Sequence, residues 1–385
     1  MDKFTIKDFC GNIENELENI GFDRSYIFKA KEKFKYRILK IFNVDCAQAN
    51  IIKQTALSVG AECATHRNVI VGKVEKSDCL LSASVAQLYK IAEKLKNQPF
   101  NLKILSSQIC EVLQNQIPSF TVKDTCFDFT RPYIVGVLNL NKSFSDGYET
   151  FEEAKSQLQK LIDDGADMID IGAESTKPGS DLVCDDIQLD KLLPVLDYIK
   201  SNNIKIPVSI DTRSANVAKI CLEHGADIIN DVSGFDFDNK MADVVAKFDC
   251  PVIIQHSSAT PDVMQQHTQY NNLIDDIFIS LSKKVDFAKS KGIKNIIIDM
   301  GIGFGKTREQ NFEILRRFEE FYTLNVPIML GISRKSLLNM QTADNFTKDI
   351  YTLALDAILM SKNVNFVRVH NVALHKKLLD FKTLE

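Results

Sequence analysis

The sequence predicts a (β/α)8 barrel preceded by a small α+β domain, and three observations carry that prediction. Eight short runs rich in Val and Ile recur from about residue 132 onward: IVGVLN (134–139), MIDIG (168–172), PVSID (207–211), DIIND (227–231), PVIIQH (251–256), IIIDMG (296–301), PIMLGIS (327–333) and NFVRVH (365–370). Each stops abruptly on a carboxylate, amide, imidazole or cationic residue, and amphipathic stretches lie between them. Such runs read as buried parallel strands joined by helical crossovers. Eight units in about 250 residues match a (β/α)8 barrel, whose active site gathers at the C-terminal ends of the strands. The polar tips are therefore expected to converge on one site.

Residues 1–105 do not share this rhythm. The pattern predicts a helix near 5–19, strands at 37–44, 61–71 and 78–82, and helices over 46–59 and 84–97, which together make a small α+β domain. Residues 106–131 are expected to be a helix and linker, and 132–385 the barrel. A chain of 385 residues with 45% hydrophobic content can bury a large core, and its length suggests two domains. The net charge of −4 gives no electrostatic case for nucleic acid. The start, MDKFTIKDFCGN, lacks a signal-peptide pattern, and no apolar stretch is long enough to span a bilayer, so a cytoplasmic protein without membrane partners is expected. Nine scattered cysteines without a C-x-x-C pair suggest free thiols rather than a zinc cage or a redox dithiol.

Taken tip by tip, the first strand closes on Asn139 and opens into a Ser/Asp/Gly-rich loop. That loop carries Phe144 and Asp146, a pairing suited to a lid over a flat substrate. The loop after the second strand offers Thr176, Lys177 and the amides around Gly179 as an anion cradle. The middle strands present Asp211, Asn230, Asp231 and Asp299. Carboxylates at the end of β-branched runs are costly to bury without partners, and a substrate rich in N–H donors would supply them. Asp231 is expected to be taken up by a salt bridge inside the barrel. Strands seven and eight bring Arg334, Lys335, Arg368 and His370, a cationic wall suited to phosphate oxygens.

Two other patterns fall short. GIGFGKT (301–307) has Met300 where a P-loop needs glycine and Lys306 where a dinucleotide fingerprint needs one, so it reads as a strand-end loop with Phe304 lining the pocket. His256, Ser333 and Ser336 show no nucleophile elbow or sequence partner for acyl transfer.

With SFSDG, ESTKPG, SIDT, IINDV, GFGKT, SRKS and RVH in that order over residues 132–385, the chain resembles dihydropteroate synthase, the folate-pathway family that sulfonamides inhibit. The resemblance implies condensation of 6-hydroxymethyl-7,8-dihydropterin diphosphate with p-aminobenzoate, releasing pyrophosphate. It puts Asp211, Asn230, Asp299 and Lys335 around the pterin, with the Arg368 guanidinium stacked on the ring, a contact lysine could not reproduce. Asn139, Thr176, Arg368 and His370 resemble the diphosphate group, with Mg2+ between Asn139 and diphosphate oxygens. Phe144, Lys177, Pro178, Phe304 and Ser336 correspond to the p-aminobenzoate pocket. Asp146, brought in by lid closure, would stabilise a carbocation-like methylene, so Asp146, Lys335, Arg368 and His370 are the residues implied in catalysis. A homodimer through barrel helices is implied as well.

Three departures bear on these expectations. The first loop, NLNKSFSDG, is one residue shorter than the family's and lacks its proline and first aspartate. Lys177 stands where arginine is usual, a point charge in place of a bidentate fork. RVHNV replaces RVHDV, so Asn371 cannot ion-pair with His370, and strand five ends QHS rather than on a methionine-flanked histidine. Two rivals share the barrel: a pterin-binding methyltransferase domain, which has no use for the SFSDG lid or the RVH wall, and a degenerate barrel that binds pterin without synthesis. The N-terminal extension is expected to be structural or to make an oligomer contact.

Overall fold

Elements form largely where the apolar periodicity puts them. The structure is a computed structural model and describes residues 4–114, 116–141, 147–175, 180, 182–259, 263–338 and 343–382. It divides into two compact units, Met1–Asn115 and Gln116–Glu385.

In the first unit, β1 (Tyr36–Asp45), β2 (Glu62–Thr65) and β3 (Lys76–Ser84) pair antiparallel in the order β1-β3-β2. Helices Cys46–Leu57 and Val85–Leu95 occupy the predicted stretches. Cys63, Cys79, Leu81, Leu88, Ile91 and Leu95 form part of the core between sheet and helices. Two expectations are corrected, and one element is new. The strand expected over 61–71 ends at Thr65, because Val69 N donates to His66 O and Gly72 N to Val69 O in consecutive turns, with Gly72 left-handed at φ +64°. The helix expected over 5–19 is confined to Ile13–Asn19, which Asn12 caps through its side chain. A further helix, Arg24–Phe34, follows an Asp23 cap. All nine cysteines are free.

The stretch 106–131 is the end of helix Leu102–Gln114 in the first unit and, in the second, a hairpin of β4 (Phe120–Val122) and β5 (Thr125–Phe127). The eight predicted runs then appear as β6 (Tyr133–Asn139), β7 (Met168–Gly172), β8 (Val208–Asp211), β9 (Ile228–Asp231), β10 (Val252–Gln255), β11 (Ile296–Asp299), β12 (Ile328–Leu330) and β13 (Phe366–Val369). They close as a parallel barrel in sequence order, β13 pairing β6 through Arg368 opposite Val135. This is the expected (β/α)8 fold.

Strand alternation divides the barrel's residues into two sets. Ile134, Leu138, Ile171, Ile210, Ile229, Ile254, Ile298 and Val369 pack with the surrounding helices in one core. Val135, Met168, Ile228, Ile253, Ile297, Met329 and Phe366 form a second core with Phe120, Phe127 and Tyr133. The hairpin thus plugs the N-terminal mouth. Phe127 lies 4.9 Å from the Tyr133 ring and 5.3 Å from those of Phe120 and Phe366. Such pairs add about 0.5–1.5 kcal/mol each beyond the area they bury.

Candidate active site

Residues i and i+2 of a strand share a face, so each inward apolar residue of the plug fixes what stands one step higher. Above Met168 comes Asp170, above Ile228 Asn230, above Ile297 Asp299, and above Phe366 Arg368; β8 contributes Asp211 at its end. The barrel interior therefore changes from apolar to polar within one step, at its C-terminal end.

Arg368 spans this ring. Its Nε donates to Asp170 Oδ2 at 2.6 Å and its Nη2 to Asp211 Oδ2 at 3.1 Å. Asn230 Nδ2 donates to the same Asp170 oxygen at 3.0 Å, which fixes the orientation of its amide. The other oxygens, Asp170 Oδ1, Asp211 Oδ1 and Asn230 Oδ1, are buried and accept no hydrogen bond from a described residue. An unsatisfied buried acceptor costs about 1–3 kcal/mol, so this ring is built to receive N–H donors. Burial pushes the Asp211 carboxyl up to about 7, the neighbouring Asp170 adds to the push, and Arg368 opposes it. Burial works against the charge of Arg368, but Asp170 and Asp211 outweigh it and raise its pKa.

The third carboxylate, Asp299, is raised by burial and partly relieved by Lys335. Its Oδ1 accepts the Gly301 amide at 2.7 Å. Gly301 is obligatory: it is left-handed at φ +66°, and a Cβ there would collide with the His256 carbonyl. Lys335 Nζ donates to Ile302 O at 2.6 Å and sits 4.8 Å from the Phe304 ring centroid, a cation–π contact. Burial lowers Lys335 to about 8, with Asp299 opposing. The GFGKT loop is tied from within by Lys306, whose Nζ meets Gly301 O and Phe304 O at 2.9 Å and His256 Nδ1 at 3.2 Å. The ammonium form has three donors for these three contacts; the neutral amine keeps two for the carbonyls and a lone pair for an Nδ1–H.

His370 stands at the end of β13. Ser333 Oγ accepts its backbone N–H at 3.3 Å and lies 2.8 Å from its Nδ1. The hydroxyl has one hydrogen and two lone pairs, so it can serve either tautomer of the ring; in the one where it donates to Nδ1, Nε2 carries the N–H. His370 and Asn139 line a polar cavity of about 130 Å³ together with Val137, Tyr148, Gln157, Lys160, Asp164, Arg334 and Asn371.

One expected role is corrected and another qualified. Arg334 lines the cavity beside His370, is left-handed at φ +56°, and its guanidinium makes a two-pronged pair with Asp349 at 2.7 and 2.9 Å, so part of its charge is met by that carboxylate. Asp231 has no salt-bridge partner among the described residues: it accepts from Ser233 N, Ser233 Oγ and Phe235 N and so holds the loop that follows it. Inside the barrel, Arg368 pairs with Asp170 and Asp211 instead. Ser336 is exposed and opens a 3-10 turn, Ser336–Leu338. Phe144, Asp146, Thr176, Lys177 and Pro178 lie outside the described residues. The loop bearing the last three begins at Glu174, which is buried in a pair with Arg213 at 2.9 and 3.1 Å and accepts Val183 N at 3.1 Å.

Asp170, Lys306 and the Glu174–Arg213 pair were not anticipated. Asp170 had a signal in the alternation of MIDIG, since it shares the parity of the inward Met168. Among the described residues no group of three or more His, Cys, Asp or Glu could hold a metal. A Mg2+ ion there would take its oxygens mainly from a bound ligand, with the Asn139 side chain as the candidate protein donor.

A family model described as pterin binding enzyme matches residues 135–370. The chain is 31% identical over 383 residues to a bifunctional dihydropteroate synthase/dihydropteroate reductase of Helicobacter pylori, covering 97% of each. It is 34% identical over 376 residues to a probable bifunctional folylpolyglutamate synthase/dihydropteroate synthase of Halobacterium salinarum, with 96% of this chain aligned but only 45% of the relative's length. A crystal structure of Yersinia pestis dihydropteroate synthase with a sulfonamide drug complex superimposes with a TM-score of 0.66 at 28% identity, covering 69% of this chain and 98% of that one.

Proposed function

The chain belongs to the dihydropteroate synthase family of pterin-binding enzymes, and on that premise we propose that its barrel joins 6-hydroxymethyl-7,8-dihydropterin diphosphate to p-aminobenzoate in folate biosynthesis. The observation that carries the assignment is the set of buried acceptors around Arg368. Asp211 Oδ1 and Asn230 Oδ1 lack a donor among the described residues, and a pterin edge presents N–H groups to such atoms. Asp299 accepts further ring N–H groups, and Lys335 donates to a ring acceptor. Arg368, held in plane by two carboxylates, stacks on the flat ring.

The reaction breaks the bond between the pterin methylene carbon and the diphosphate oxygen, and the electron pair leaves with pyrophosphate. The amine nitrogen of p-aminobenzoate forms the new bond and gives up a proton to solvent. His370, Arg368, Asn139 and Thr176 bind the leaving group, where donors matched to developing charge act most strongly. Asn139 would hold Mg2+, which supplies charge neutralisation on the diphosphate oxygens. Asp146 is assigned the stabilisation of positive character on the methylene. Phe144, Lys177, Pro178, Phe304 and Ser336 receive p-aminobenzoate; the Lys335 ammonium against the Phe304 ring and the Lys306 bond to its carbonyl support that role.

A homodimer fits the outer face of helix Asn345–Ser361, where Phe346, Ile350, Tyr351 and Ile358 are exposed. No described helix is long and apolar enough to cross a membrane, and a cytoplasmic location suits a folate-pathway enzyme. The test is pyrophosphate release from the pterin diphosphate with Mg2+, with and without p-aminobenzoate. Release that requires the amine, with an equal amount of dihydropteroate, is expected, and chelation should abolish it. Pterin binding without amine-dependent release would sink the assignment.

A further inference from the structure

Helix Asn345–Ser361 buries a polar stripe, Asp349, Thr352 and Asp356, spaced three and four residues apart so that all three share one face. Asp349 takes the Arg334 guanidinium and the Asn371 amide, the latter at 3.1 Å. Asp356 meets His375 Nε2 at 2.9 Å, and both side chains are 1% exposed. The other ring nitrogen, Nδ1, lies 2.8 Å from the backbone carbonyl of Asn371. A carbonyl only accepts, so Nδ1 carries a hydrogen. The Nε2–Asp356 contact is then held by a single shared hydrogen, on the ring or on the carboxyl. Burial raises the Asp356 pKa and His375 opposes it.

These contacts pin one residue from three directions. Asn371 Oδ1 accepts Leu374 N at 3.2 Å and so caps helix Val372–Lys382; its amide nitrogen is held by Asp349, and its carbonyl by His375. Asn371 immediately follows His370. Apolar side chains of similar volume would join the two helices at least as firmly as a buried ionisable pair. They could not supply a directed hydrogen bond to the carbonyl beside His370.

We propose that His375, oriented by Asp356, is a positioning residue that sets the aim of His370 at the diphosphate. The proposal rests on the assignment of His370 to the leaving group. Asparagine at 375 places an amide nitrogen where Nδ1 stands and keeps the donor to Asn371; glutamine places it where Nε2 stands and loses that donor. In the full chain, His375→Asn should bind magnesium pyrophosphate within about threefold of wild type. His375→Gln should raise that Kd, and the KM for the pterin diphosphate, by about tenfold while leaving the KM for p-aminobenzoate unchanged.

If His375→Gln does not fold, Asp356→Asn and Asp356→Leu replace it. The amide can donate to Nε2 and preserve the Nδ1–H form, so Asp356→Asn should stay near wild type where Asp356→Leu shows the tenfold loss. Equal behaviour of the paired variants, or losses that move both KM values and the melting temperature together, would overturn the proposal in favour of a structural role. His370→Ala separates the two levels. If it leaves pyrophosphate affinity intact, the diphosphate assignment itself fails; if it weakens affinity while His375→Gln does not, only the positioning role fails.

Discussion

Replacing Asp170 by asparagine tests whether the polar ring works as a unit. Its Oδ2 serves both Arg368 Nε at 2.6 Å and Asn230 Nδ2 at 3.0 Å from a fully buried position. A neutral amide has one oxygen, and Arg368 claims it. Asn230 Nδ2 reaches that same oxygen, so the new amide nitrogen stands where Asp170 Oδ1 stood and presents N–H where the ring now presents a bare acceptor. A charge-assisted bond becomes a neutral one, at about 1 kcal/mol, and a donor meets a donor at the pterin edge, at about 1–3 kcal/mol. The sum, about 2–4 kcal/mol, lowers kcat/KM for the pterin diphosphate by about 30- to 900-fold. A second readout has its own sign. Asp211 is raised to about 7 by burial with Asp170 adding to it, so protonation below that pH turns an acceptor into a donor and pterin binding weakens as pH falls. With the Asp170 charge gone, Arg368 pulls Asp211 down and the acid limb of kcat/KM shifts to lower pH. The assay is amine-dependent pyrophosphate release from pH 5.5 to 8.5. A loss below about threefold at pH 8 with an unmoved acid limb would refute the reasoning, since neither consequence of the shared oxygen would have appeared.

Lys306 is lowered by burial to about 7 from 10.5, so between those values the unfolded chain holds the extra proton and folding stability rises with pH. Lys306→Met should flatten part of that rise in melting temperature from pH 7 to 10, and an unchanged slope would remove the lysine from the account. Asn371→Asp sets a second carboxylate 3.1 Å from Asp349 and should cost about 1–3 kcal/mol of unfolding free energy at pH 8. The loss should shrink toward pH 5 as one carboxyl protonates; denaturant melts at the two pH values check it. Phe127→Ala empties the plug at the barrel's other mouth and should cost about 3–5 kcal/mol of stability while kcat/KM stays within about twofold, read by denaturant melts and steady-state rates.

The eight strands were legible because a buried parallel strand needs an unbroken apolar run, and Asp211, Asn230, Asp299 and Arg368 were legible because each stands at or next to a run's end. Tip position alone does not say which side chain enters the barrel. Asn230 and Asp231 are neighbours with similar chemistry, yet the parity of Ile228 sends Asn230 to Asp170 and leaves Asp231 to fasten its own loop. The same parity would have drawn attention to Asp170, which sits two residues before the strand's end. Parity in turn fails beyond the strands. Arg334 and Lys335 are adjacent cations, and a left-handed backbone at Arg334 turns one toward Asp349 on a helix and the other toward Ile302 and Phe304. No local pattern encodes that division, because Arg334's partner, Asp349, lies fifteen residues away and is brought in by the helix that follows. The hairpin plug was missed for a related reason: FTVKDTCF is too short to show a period, and it folds against strand ends that exist only once the barrel has closed. Distant partners of this kind are also what tie Asp356 and His375 to His370, so the part of the site least visible in the sequence is the part that aims its residues.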